Sequence, residues 1–303
     1  TRSGNDPGAS APCSPGDSDD VPGNLLVVRM GSRDTTGERL RSNRLVRDSD
    51  INGFLATPPD SRDAVVTWLS FDGQNGWPAY MHPGGVQLVG DVLAVSLDKR
   101  MVGSDSQFLV LFIDVSNPES PRPMSRFAPV NANGSPLNTT VVGLTPVANP
   151  DGPGFRYLMI ATGGDNSVVT FWRSLPTALD GSTDLKSPDL AWERVGGFTE
   201  RGIEICMGGV FVNGNFFPLH DWPTSSQDPY QTLNFVREES GDLYLIGANN
   251  ELLSDRDLLD LYRVNINAFG IPDPDCPLTF IANKHVTSKP IMGGGDSANF
   301  AAA

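Results

Sequence analysis

Apolar residues in this 303-residue chain come in short runs of about five to nine, set apart by Gly, Asp, Asn and Pro. The pattern is densest between Trp77 and Arg126, where 85–89, 92–97 and 108–115 are apolar runs divided by Gly-Asp and Gly-Ser. Runs of this length with turn residues between them predict consecutive antiparallel strands. The segment 125–130 closes a first unit of four. A second unit follows at 141–147, 156–162, 168–174 and 191–198, and a third at 231–238, 242–248, 258–264 and 278–286. Two further strands precede them, at 25–30 and 64–71, and GGVFVNGNFFPLHDW (208–222) has the character of another, incomplete unit. No segment holds a helical period.

Repeated four-strand units predict an all-β fold, a β-propeller of four-stranded antiparallel blades, four to six in number with five favoured. Residues 1–22 are nearly devoid of apolar side chains and read as a tail, because they offer too little surface to bury against the entropy of ordering. Residues 23–303 read as one propeller domain. The final SANFAAA resembles the first strand of one more blade. Either it joins the N-terminal strands to close the ring, which would remove an exposed sheet edge, or the chain is truncated there.

Composition agrees with many turns and little helix: 32 Gly, 25 Pro and only 19% charged residues. The net charge of −14 excludes a nucleic-acid surface, which needs clustered cations. No apolar run approaches membrane-spanning length, and no hydrophobic signal core is present. The chain opens on Thr1, as a mature or trimmed protein would. Cys13, Cys206 and Cys276 lack the paired spacing of a zinc site. Cys206 with Cys276 is the expected disulfide, since Cys13 lies in the polar tail.

GGVQLVGDVLAV (84–95) followed by FLVLFIDVSNPESPRPMSRF (108–127) resembles the LVIVD-type propeller repeat, in which a G-x-L-A-V strand leads to one ending I-D-V-S-x-P-x-x-P. The other units depart from it, with FWRSLPT and LYRVNINAFG in place of the Asp-Val-Ser-Asn-Pro ending. The resemblance implies a propeller and a secreted or cell-surface location. It carries over no catalytic residue.

Candidate chemistry gathers in the connections that lead from one unit into the next. The first holds Trp77, Tyr80 and His82. A longer one holds His220, Asp221, Trp222, Asp228 and Tyr230, and the last begins at His285. Imidazoles from His82, His220 and His285 converging with a carboxylate would suit a divalent metal such as Zn²⁺, Cu²⁺ or Fe²⁺; the alternative is three hydrogen-bonding loop residues. Trp77, Tyr80, Trp222 and Tyr230 would stack on sugar rings, with Gln87, Gln231, Asp221 and Asp228 as hydrogen-bonding groups, or else would plug the space between blades. Motifs for a nucleophile elbow, a phosphate loop, a zinc protease or a dinucleotide site are absent. The expectation is therefore a binding or scaffold module whose ligand is a small molecule, a glycan or a protein. The alternative is a metal-dependent or carbohydrate-active hydrolase or oxidase on the same face.

Overall fold

The computed structural model describes residues 24–29, 64–78, 80–100, 108–137, 141–163, 167–218, 220, 222–223, 230–250, 256–268 and 270–287. The expectations for 1–22, Cys13, Asp221, Asp228 and SANFAAA lie outside these residues.

Three four-stranded antiparallel sheets dominate. The first comprises β3 (Tyr80–Val89), β4 (Val92–Arg100), β5 (Leu109–Asp114) and β6 (Arg122–Phe127). In the second are β7 (Val141–Ala148), β8 (Phe155–Thr162), β9 (Val168–Ser174) and β10 (Trp192–Thr199). The third is built from β13 (Tyr230–Arg237), β14 (Leu243–Asn250), β15 (Arg256–Val264) and β16 (Leu278–Thr287). Each is a meander in which sequence order equals spatial order. Two hairpins accompany them: β1 (Asn24–Arg29) with β2 (Ala64–Ser70), and β11 (Gly209–Val212) with β12 (Asn215–Pro218). One turn of helix, α1 (Glu200–Ile203), and a 3₁₀ turn (Glu204–Met207) link β10 to β11. Among the described residues no helix is long and apolar enough to cross a membrane.

The incomplete unit at 208–222 is thus the β11–β12 hairpin. Its turn uses Asn213 and Gly214, both at positive φ (52° and 81°), as a tight two-residue turn requires. Phe211 is 75% exposed at the tip of this hairpin, with Val210 and Phe217 also on the surface.

Successive sheets bury their faces against each other. Val92, Ala94, Val110 and Phe112 of the first sheet share a core with Val142, Leu144, Met159 and Trp172 of the second. On its other side the second sheet shares Leu158, Ile160, Val169 and Phe171 with Leu233, Phe235, Leu245 and Tyr262 of the third. Leu25 and Leu69 of the first hairpin pack on the first sheet beside Phe71, Trp77 and Tyr80. This succession explains why the strands are apolar at nearly every position: both faces of a middle sheet are covered.

The leading strands of the three sheets meet along one line. A Cβ on Gly85 of β3 would lie 3.3 Å from the Val141 side chain of β7 and 3.4 Å from the Thr232 Cα of β13. Two residues on, a Cβ on Gly143 of β7 would stand 2.8 Å from the Leu233 carbonyl, and Asn234 donates to the Val86 carbonyl at 2.8 Å. Glycine permits this approach, because any side chain would force the backbones apart. Both levels advance in the same chain direction, so β3, β7 and β13 run parallel to one another and begin at one end of the molecule. The β-propeller expected from the sequence would have a central channel on this axis. At these levels the structure has strand-to-strand contact instead.

Candidate functional site

The sheet geometry gathers chemistry-bearing side chains at that end, and packing rather than exposure is what most of them share. Trp77 and Tyr80 are buried in the core under the first hairpin, with Trp77 edge-on to Phe71. Trp222 and Tyr230 are fully buried, and Trp222 meets Phe198, Tyr230 and Tyr262 ring to ring. The expected sugar-stacking platform is corrected accordingly: these four aromatic residues fill the space between sheets, where removing them from water yields the most.

Gln87 is corrected in the same way. Its Oε1 accepts from the Phe235 N–H at 2.8 Å and from Asn234 at 3.2 Å, so it ties β3 to β13. Gln231 is exposed on β13. His82 and His285 occupy strands rather than connections: His82 sits opposite Asp98 in β3 and β4, and His285 opposite Leu258 in β15 and β16. His220 alone of the three lies in a connection. Its ring stacks on Phe280 with centroids 4.0 Å apart. Five residues separate Phe280 from His285 along β16, roughly 17 Å of extended strand. Among the described residues no group of three or more His, Cys, Asp or Glu side chains is placed to hold a metal.

What the structure does bring together is His220 with Tyr230, Tyr262 and Asp260. Asp260 is 0% exposed, in the middle of β15, on the same strand face as Tyr262 two residues later. The Tyr230 hydroxyl donates to Asp260 Oδ2 at 2.6 Å, and the Tyr230 and Tyr262 hydroxyls are 2.5 Å apart. Since the Tyr230 proton is committed to Asp260, Tyr262 is the donor to Tyr230. His220 Nε2 lies 2.9 Å from the Tyr262 hydroxyl and 3.3 Å from Asp260 Oδ2. With Nε2–H donating, hydrogen bonds run in series from His220 through both tyrosines to the carboxylate, each polarising the next. Asp260 Oδ1 has no hydrogen-bond partner although it is buried.

Burial raises the Tyr262 phenol well above its ordinary range, with the Asp260 charge adding to the effect. Burial does the same at Tyr230, where the neighbouring Tyr262 and Asp260 add to it. Both phenols therefore stay protonated in the absence of a stronger cation. His220 is the member that reaches the surface, with 9% of its side chain exposed. Asp260 and Tyr262 do not stand out in LLDLYRV, which reads as one apolar strand. The available signal was a carboxylate at an inward position of a buried strand, where an acid persists only with partners.

The disulfide joins Cys206 and Cys276, as the sequence suggests, and fastens the 3₁₀ turn before the β11–β12 hairpin to the loop before β16. Cys206, Ile203 and Met207 belong to the same core as Trp222 and Tyr230.

No protein-family model matches the chain, and no curated protein sequence matches it. Among solved structures it is similar to a protein provisionally assigned as an exo-β-1,3-galactanase from Bifidobacterium bifidum s17, at 15% identity and a TM-score of 0.33. That similarity covers 69% of this chain and 54% of the other, so the chain spans about half the length of the protein it matches.

Proposed function

We propose that the chain is an extracytoplasmic β-propeller of the LVIVD-repeat type that serves as a binding or scaffold module. Its ligand, a small molecule, glycan or protein, docks on the end where the connections enter β3, β7 and β13. In this reading the three four-stranded sheets are complete blades. The observation that carries the functional reading is the common direction of the three leading strands, which all begin at one end of the molecule. Burial supports binding over catalysis at this end: Gln87 ties β3 to β13 instead of facing a substrate. A group that turns over substrate must touch it. The Cys206–Cys276 disulfide fits an oxidising compartment.

The test is to pass a library of neutral and acidic glycans over the immobilised chain and to identify by mass spectrometry what is retained and what is released. Retention of intact glycans is the expected result, with weakened retention in His220→Ala. Cleaved or oxidised products in the eluate would replace the binding reading with a hydrolase or an oxidase.

A further inference from the structure

We infer that Asp260, Tyr230, Tyr262 and His220 form a centre for one trivalent metal ion, with ferric iron the ion of matching chemistry. The inference stands on the geometry of this cluster and is independent of what docks at the end of the molecule.

The four donor atoms form a closed quadrilateral. Its sides are 2.6 Å from Asp260 Oδ2 to Tyr230 Oη, 2.5 Å from Tyr230 Oη to Tyr262 Oη, 2.9 Å from Tyr262 Oη to His220 Nε2, and 3.3 Å from His220 Nε2 back to Asp260 Oδ2. An octahedral ion with bonds of about 2.0 Å sets adjacent ligand atoms about 2.8 Å apart, in the middle of this range. Tetrahedral zinc at similar bond lengths would want about 3.3 Å on every side, and three of the four sides are shorter than that. Magnesium and calcium take oxygen ligands and leave no role for the imidazole.

Charge selects the oxidation state. One carboxylate, two phenolates and a neutral imidazole carry three negative charges, so a trivalent ion makes the buried centre neutral, whereas a divalent ion leaves one uncompensated charge in an apolar core. Binding is a proton exchange with no change of oxidation state. Each phenol O–H breaks as its oxygen binds iron, and two protons leave to water for each Fe³⁺ taken up. Only a strongly polarising cation displaces those protons. Asp260 Oδ1 is buried and has no hydrogen-bond partner, so that carboxylate is not fully spent on the protein. The ring of His220, fixed on Phe280, stands at the surface side of the centre.

The experiment adds ferric nitrilotriacetate to the full chain near neutral pH, then desalts it and reads iron content, visible absorbance and proton release. One iron per chain, about two protons released per iron and a phenolate-to-iron charge-transfer band are expected. Tyr262→Phe, with its circular dichroism and disulfide unchanged, is expected to bind more than tenfold more weakly and to alter the band, whereas Tyr244→Phe, half-buried on β14 with its hydroxyl on Glu238, leaves both unchanged. Absence of retained iron in the wild-type chain, iron retained without the charge-transfer band, or zinc held as tightly as iron would each overturn the assignment. The wild-type readings decide the matter even where Tyr262→Phe fails to fold.

Discussion

The second and third sheets share one topology, and each buries a charge of opposite sign, but they treat those charges differently. Arg156 on β8 is nearly sealed from solvent, and its guanidinium is spent on fixed partners: Nε on the Gly181 carbonyl at 2.7 Å, Nη1 on the Ser174 carbonyl at 2.8 Å and Nη2 on Asp151 at 2.9 Å. Asp260 on β15 is more deeply buried, yet one of its oxygens meets no donor. A buried cation with its hydrogen bonds made is structural. A buried anion with an unpartnered oxygen beside two phenols and an imidazole is where the proposed metal ion would bind.

The contrast can be broken or sharpened by measurement. The largest effect is expected from replacing Cys206 and Cys276 together with serine. The bridge closes a loop of 70 residues in the third sheet's half of the molecule, so chain entropy predicts a loss of roughly 4 kcal/mol in denaturant unfolding. Arg156→Met comes next, at about 3 kcal/mol, since it takes the guanidinium donors from the buried Ser174 carbonyl and the half-buried Gly181 carbonyl.

Asp260→Asn is expected to cost less, within about 1.5 kcal/mol, because the loss of a charge-assisted acceptor for Tyr230 is offset by removal of a buried charge. If Asp260→Asn proved costlier than Arg156→Met, the distinction between a structural and a functional charge would fail. The smallest effect near neutrality, and a growing one in alkali, concerns the tyrosines. Burial raises both phenols above 10.0, and unfolding returns them to it, so above that pH the unfolded chain gives up protons that the folded chain keeps. Stability is thus intact below pH about 10 and falls as pH rises beyond it, by up to about 1.4 kcal/mol per pH unit for each tyrosine. Thermal unfolding followed from pH 9 upward checks this, and Tyr262→Phe should flatten the alkaline decline.

Much of the architecture was legible in the pattern of apolar runs. Strands expected at 141–147, 168–174 and 258–264 are found at Val141–Ala148, Val168–Ser174 and Arg256–Val264, because turn residues bound each of them closely. Where the turn signal was diffuse the boundary moved: β3 begins at Tyr80 rather than at 85, which draws His82 out of the expected loop and into a strand. The site was less legible. Trp222 and Tyr230 were recognisable as unusual residues in a connection, but sequence cannot tell an aromatic that faces solvent from one that plugs a core. Asp260 lies 30 residues from Tyr230 and 40 from His220, and only the pairing of β13, β14 and β15 brings them together.

The hydrogen bond from the Phe235 N–H to Gln87 joins positions 148 residues apart, and that separation sets a timetable for folding. On a ribosome adding roughly 5 to 20 residues per second, β3 emerges some 7 to 30 s before the strand that covers it. During that interval the first two sheets are able to form their local meanders, but their leading edges stay open, with glycine-lined backbone ready to pair with any neighbour. Assembly of this protein is therefore governed by its last third, and a nascent chain stalled before β13 carries the aggregation risk that the finished molecule has buried.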